Sequence, residues 1–348
     1  MSENLYVELS DRSKQIFKSV VDTYLKTGSP SGSETILKNA GINISSSSVR
    51  LILANLQKEG LLYAPHTSAG RLPTDKGIRF FVDGLLEFGR LTKSEQENIK
   101  QKCQLRGSSF EEVLDEASKT ISGLSSHAGI VVAPKYQNKI KHIEFIRLNN
   151  NQIMSIIASD NGLIENRILE DSKNYNENTL RKVSNFLNSK YSNKHISDIK
   201  KSIELEINNS KSQLELLSNK LVKKGILETG FNTDNPYIFL HGQSSLLEDE
   251  IVSKDLDQIR MLFDEIENKS SFVNILENTS KAKGVQIFIG SQNFLFKHSG
   301  LSMVMAPYKN KDQKIIGAIG VVGPTRLNYA KIVPLVDYTS KIIGKVLS

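Results

Sequence analysis

The chain has 348 residues, 39% hydrophobic and 24% charged, with 45 Lys/Arg against 38 Asp/Glu for a formal net charge of +7. That length fits about two or three core-forming domains, and the apolar content excludes wholesale disorder. The single cysteine, Cys103, and six histidines at no helical or zinc-finger spacing exclude a disulfide framework and argue against a metal site. 

Residues 1–11 carry Glu3, Glu8 and Asp11 and no basic residue, unlike a secretory or transit signal. Ser10 is placed to cap a helix running to about Thr27, with Ile16, Val20, Val21, Tyr24 and Leu25 at helical spacing. Gly28-Ser29-Pro30 breaks it. A second short helix covers roughly 32–40, with Ile36 and Leu37 inward and Gly41 as a left-handed stop. Any of Ser45 to Ser48 can cap a third helix that ends at Gly60. Leu61-Leu62-Tyr63 reads as a strand, the loop 66–71 and a return at Leu72 complete a hairpin, and Thr74 caps a fourth helix to about Phe88.

Helix, short helix, helix and hairpin is the order of a winged helix-turn-helix. In the third helix Val49, Ile52, Leu53 and Leu56 share one face, and Ser47, Arg50, Leu51, Ala54 and Lys58 share the other. The second face is small, mostly polar and carries two cations, which suits the ~12 Å major groove of DNA. An ordinary amphipathic surface helix is the competing reading. Ser46 and Ser47 could offer hydroxyls and backbone N–H groups to phosphate. Arg50 could contact guanine O6 and N7 or a phosphate, and Lys58 a phosphate or solvent. In the wing, Gly70 lets the loop turn tightly and Arg71 could enter the minor groove or meet the backbone. His66 and Thr67 could add backbone contacts, although His66 serves equally well as a polar residue that stabilises the hairpin.

Charge is unevenly spread. Residues 12–79 hold ten Lys/Arg and four Asp/Glu, residues 240–280 hold three and nine, and residues 281–348 hold ten and two. A basic N-terminal module suggests a polyanion partner, although lysines on solvated faces would give the same count.

Residues 91–107 are polar and read as a linker or connecting helix. Ser109 can cap a helix with Phe110, Val113, Leu114, Ala117, Ile121 and Leu124 inward. Strands are predicted at 129–133, 141–148, 152–158 and 163–169, then again at 237–240, 285–289, 301–308 and 315–322. Joined, they make one α+β domain. Residues 172–229, polar and helical in period, would be an insertion into it, and 256–266 a further helical stretch. A last amphipathic helix runs from Asn328 to about Val346. Gly320 to Arg326 lacks the lysine and glycine spacing of a phosphate-binding loop and reads as a structural strand-to-helix turn. Nothing assembles a nucleophile with its base, so no enzyme is indicated. Apolar runs stay under about a dozen residues, short of the ~20 that span a bilayer.

Four stretches resemble a known family. The run Pro65-His66-Thr67-Ser68-Ala69-Gly70-Arg71-Leu72-Pro73-Thr74-Asp75-Lys76-Gly77-Ile78-Arg79-Phe80-Phe81-Val82-Asp83 looks like the wing and following helix of the bacterial heat-inducible transcription repressors, the HrcA family. Gly320-Val321-Val322-Gly323-Pro324-Thr325-Arg326-Leu327-Asn328-Tyr329 is similar to that family's C-terminal motif, and Thr27-Gly28-Ser29-Pro30-Ser31-Gly32-Ser33 and Ser47-Ser48-Val49-Arg50 to its first elements. The resemblance implies an N-terminal winged helix (1–90), a linker (91–107), and a GAF-like α+β domain in two parts (108–171 and 230–348). A dimerisation domain at 172–229 is inserted between those parts. It implies a cytoplasmic homodimer that represses chaperone operons from an inverted-repeat operator (the CIRCE element), supported by a GroEL-type chaperonin and released under heat stress. The family's recognition helix typically carries Arg-Asn where this chain has Arg50-Leu51. Leu51 cannot hydrogen-bond a base edge but could contact a thymine methyl. An inverted repeat requires a two-fold protein, and the insertion and the last helix, with Ile332, Val333, Val336, Ile342 and Ile343, are the candidate dimer surfaces, packing on its own sheet being the competing reading for most of those residues of the helix. The competing function is a small-molecule-responsive winged-helix regulator with its pocket in the GAF-like domain. 

Overall fold

The computed structural model describes residues 9–103 save 43, 67 and 68; 110–133; 139–195 save 161–163 and 171–174; 236–247; 284–290; 300–347 save 312 and 314; and isolated residues between 198 and 264. The helical stretch expected at 256–266 and most of 196–235 lie outside the described residues.

The N-terminal elements follow from their caps. The Ser10 hydroxyl accepts from Ser13 N at 3.3 Å and starts α1 (Asp11–Thr27), which Gly28 ends in the left-handed region at φ 68°. Gly41 (φ 64°) ends α2 (Ser33–Ala40) in the same way. Ser45 caps α3 (Ser46–Lys58) by accepting from Ser48 N at 3.2 Å. Two short strands, β1 (Leu62–Tyr63) and β2 (Leu72–Pro73), pair antiparallel. Thr74 then caps α4 (Asp75–Gly84) through Gly77 N at 3.0 Å. This helix stops short of Phe88. The N–H groups of Leu85 and Leu86 both return to Phe81 O, and the chain leaves to reach the body, where Gly89 N donates to Ala330 O at 3.0 Å. Ile16, Phe17, Val20, Ile36, Val49, Leu56, Leu61 and Phe81 form the centre of this head, with Phe17 and Phe80 edge to face at 5.6 Å.

Of the two readings of 91–107, linker or connecting helix, residues 93–103 take the second. They form α5 (Lys93–Cys103), which buries Ile99 and Cys103 completely. Two apolar residues four apart in an otherwise polar stretch are enough to seat one helical stripe. α6 (Phe110–Ser125) follows, and then two antiparallel sheets rather than one joined set of strands. The larger sheet has the order β7-β3-β10-β9-β8, from β3 (Ala128–Ala133), β7 (Tyr237–His241), β8 (Gln286–Ile289), β9 (Leu301–Lys309) and β10 (Ile315–Pro324). The smaller sheet is a meander of β4 (Ile140–Asn149), β5 (Gln152–Ser159) and β6 (Ile164–Glu170). Its strands are joined by short connections and pair with their chain neighbours. One face is closed by α7 (Glu177–Tyr191), which packs Leu180, Val183, Leu187 and Tyr191 on Ile143, Phe145, Ile153 and Ile157. The architecture is therefore α+β with antiparallel sheets.

The larger sheet alternates its cargo as a pleat requires. Val131, Ala133, Val304, Ala306, Ile319 and Val321 face α5, α6 and the last helix α9 (Tyr329–Val346). Ile130, Val132, Met303, Met305, Ala318 and Val322 face the other way, with Leu246 of the short α8 (Ser244–Leu247). Asn328 caps α9 through Lys331 N. Ile332, Val336, Ile342 and Ile343 are all buried in the core, so that face of the last helix is taken by its own sheet and is not available as a dimer surface. The same apolar cluster continues without a break from the head into the body.

The fold makes two predictions. Phe17→Ala removes a fully buried ring and should cost about 3–5 kcal/mol in chemical denaturation. Burial, and then the Glu116 carboxylate, pushes the Cys103 thiol up to about 12, so at pH 8 it stays protonated. Cys103 should resist an aromatic disulfide reagent in the folded chain and react promptly once denaturant is added.

Candidate nucleic-acid interface

α3 presents one side to the core and one to solvent. Val49, Leu53 and Leu56 are buried, whereas Ser46, Ser47, Arg50, Leu51, Ala54 and Lys58 are all exposed, Leu51 at 65%. The predicted face is thus gathered as expected. An exposed leucine at the middle of a helix costs nothing in packing and leaves an apolar contact free for a partner. Sequence reasoning passed over Ser48, Asn55 and Gln57, which are exposed beside the same stripe. Their amide side chains could have marked Asn55 and Gln57, since such groups read adenine edges. 

The helix start is built to face an anion. Its first turn holds no acidic residue, and its free N–H groups carry the positive end of the helix dipole. Ser45 Oγ lies 2.8 Å from Ser47 Oγ and 2.9 Å from Ser48 Oγ, so the Ser47 hydroxyl is drawn into the cap while Ser46 stands clear of it. At the other end Lys76 Nζ donates to Glu59 O at 2.9 Å, which leaves Lys58 at the exposed end of the stripe.

The hairpin is braced by a third segment. Ser31 N donates to Arg71 O at 3.1 Å and Arg71 N to Ser31 O at 3.0 Å, so the α1–α2 connection pairs with the strand leaving the hairpin loop. A Cβ on Gly70 would lie 2.4 Å from the Ser31 carbonyl carbon and oxygen. Close approach of two backbones, rather than turn geometry, is what requires glycine here. Arg71 is half-buried. Its Nη1 donates to Ala69 O at 3.2 Å, so the guanidinium folds back over the loop, and its Nε is buried without a hydrogen-bond partner, as is Ser31 Oγ. His66 is exposed and its carbonyl accepts from Ala69 N at 3.0 Å. Thr67 lies outside the described residues.

Elsewhere, among the described residues, no three of His, Cys, Asp or Glu come together as a metal-binding group. A half-open groove of about 400 Å³ between the β9–β10 turn and α9 is lined by Lys309, Lys311, Lys341 and Lys345, with Asp337 paired to Lys341 at 2.6 Å. No helix among the described residues is long and apolar enough to cross a membrane.

Residues 111–333 match the model of the HrcA protein C terminal domain. The chain is 40% identical over 339 residues to the heat-inducible transcription repressor HrcA of Gluconobacter oxydans, covering 97% of this chain and 95% of that one. It is 40% identical over 341 residues to the repressor of the same name from Caulobacter vibrioides, covering 98% and 95%. Among solved structures it is similar to the 2.2 Å crystal structure of a protein described as hypothetical, with a TM-score of 0.66 at 20% identity over 98% of this chain and 99% of that one. 

The bracing of the hairpin is directly testable. Gly70→Ala should open the Ser31–Arg71 pair, seen as loss of amide hydrogen-exchange protection at both residues by about tenfold or more, with protection of the α6 amides unchanged.

Proposed function

The chain belongs to the HrcA family of heat-inducible transcription repressors, and from that membership we propose that it represses chaperone operons by binding an inverted-repeat, CIRCE-type operator as a homodimer. The observation that carries the reading is the α3 stripe, exposed along its length and flanked by a braced hairpin. In this reading the head is a winged helix with α3 in the major groove. Arg50 takes guanine O6 and N7, Leu51 meets a thymine methyl, Ala54 allows close approach, and Ser46, Ser47 and Lys58 hold phosphates. Arg71, with His66 and Thr67, meets the flanking backbone or minor groove, which requires its guanidinium to leave Ala69 O.

We assign the larger sheet with α5, α6 and α9 to the GAF-like domain. The insertion, expected at 172–229, begins earlier in our assignment, at β4, because α7 packs on the β4–β6 sheet. The outer face of that sheet aligns Ile146, Met154 and Ile168 in register, with Ile164 four residues away along β6 on the same face, and Ile164 and Ile168 are 66% and 60% exposed. A second copy covering this face would give the two-fold that a palindrome demands and raise the effective concentration of the second head. Under heat, unfolded protein would draw away the GroEL-type chaperonin that supports the repressor and release the operator. The competing reading, a small-molecule-responsive regulator, rests on the lysine-lined groove of the body. It predicts a thermal upshift with an anionic metabolite.

A titration of labelled inverted-repeat duplex with purified protein, with and without GroEL, tests the proposal. We expect tight binding that falls linearly with log salt and tightens with the chaperonin. Equal affinity for a scrambled duplex would overturn it. Arg50→Ala should weaken specific binding about tenfold or more and leave non-specific binding nearly unchanged; equal losses on both would make Arg50 a phosphate contact. Lys58→Ala should reduce the salt slope by about one.

A further inference from the structure

Two of the four stretches that carry the family resemblance, at opposite ends of the chain, meet at one place. The turn formed by Pro324, Thr325 and Arg326 sits under the end of α1. Tyr24 Oη lies 3.4 Å from Thr325 Oγ1. A Cβ on Gly28 would lie 3.3 Å from Arg326 Nη1, so the guanidinium rests against the left-handed residue that closes α1. A cation at that spot faces the negative end of the helix dipole. Beside it, the family stretch that holds the wing and the following helix reaches the same surface. The Arg79 guanidinium donates to Ile287 O, and the Asp75 carboxylate lies so close over Gly290 that a Cβ there would fall 2.1 Å from Oδ2.

The body side of this contact is stiff. Thr325 N donates to Gly300 O at 2.8 Å. The Tyr329 hydroxyl, fully buried, lies 2.8 Å from Thr325 O and 2.9 Å from Ser302 Oγ. The head side leads straight to the hairpin, because Gly28 is three residues before Ser31, which pairs with Arg71.

The geometry points to the turn at 324–326 as the seat that sets how the head is carried on the body, with Arg326 a positioning residue for operator recognition. This rests on the reading of the head as the DNA-binding end. Two heads can engage both half-sites only if their α3 helices are held at the spacing and tilt of the operator. A head free to tilt keeps its phosphate contacts but must be ordered at the moment of binding, and that ordering subtracts from affinity. Loosening the seat should therefore lower specific affinity while sparing non-specific binding, a pattern that a phosphate-contacting arginine would not give.

The test compares the full chain with Arg326→Ala and Tyr24→Phe on duplexes whose half-sites stand at the native spacing or are moved a few base pairs apart. For Arg326→Ala we expect about tenfold weaker operator binding, a flattened spacing optimum, and an unchanged salt slope and non-specific affinity. For Tyr24→Phe the same pattern should appear at about threefold. Circular dichroism checks folding, and if Arg326→Ala does not fold, Tyr24→Phe carries the comparison alone. Wild-type affinity with a wild-type spacing optimum overturns the inference. So does a parallel loss of specific and non-specific binding with a smaller salt slope. If the unaltered chain shows no preference for the inverted repeat, the DNA reading fails and the seat is read separately, by tryptic cleavage after the exposed Arg90 between head and body. Cleavage accelerated about fivefold in the variant supports the seat, and an unchanged rate overturns it.

Discussion

A thirteen-residue helix in so small a head can bury only one side, and α3 spends that side on Val49, Leu53 and Leu56. Burying them against α1 fixes the rotation of the helix about its axis. The opposite stripe, from Ser46 to Lys58, is then held outward with no freedom to turn inward. Its polar and small residues are tolerable in water, and its exposed Leu51 is not needed by the core. Everything proposed for nucleic acid recognition depends on this division. The cap at Ser45, the hairpin braced on Ser31 and the closing carbonyl contact from Lys76 all serve to keep the helix at that rotation.

The head does not hang from a linker. Its apolar cluster runs on through α5, α6 and α9 to the larger sheet, so tilting the head away would expose core residues on both sides. The polar contacts around Tyr24, Asp75 and Arg79 ring that continuity and give it direction, since hydrogen bonds are angular where apolar burial is not. A dimer held through the smaller sheet would then transmit its two-fold to the heads through packed structure rather than through a flexible tether. The smaller sheet is itself tied to the larger one at a point, where the Tyr237 hydroxyl donates to Glu165 Oε1 at 2.6 Å; burial, reinforced by that carboxylate, pushes the tyrosine well above its usual range.

Local signals were legible in the residues. Ser10, a serine before α3, Thr74 and Asn328 each mark a helix start, and Gly28 and Gly41 each mark an end, because caps and left-handed stops act within a few residues. The two faces of α3 were legible for the same reason. What was not legible is which strands pair. The residues of a strand mark it as a strand and say nothing of its neighbour, so the division into two sheets appears only in the fold. The polarity of α5 left linker and connecting helix both open, since within it only Ile99 and Cys103 are buried. The reason for Gly70 and the meeting of Gly28 with Arg326 depend on residues about forty and three hundred positions apart, beyond any local pattern.

The most direct measurement uses the buried, unreactive Cys103 as a silent background. A photo-crosslinker attached through Leu51→Cys, on the outer stripe of α3, should mark bases in both halves of an inverted-repeat duplex at symmetric positions. The same reagent at Lys345→Cys, on the far end of α9, should mark none. Symmetric base cross-links from position 51 alone are what this account predicts, and their absence from position 51 in a saturated complex would contradict it.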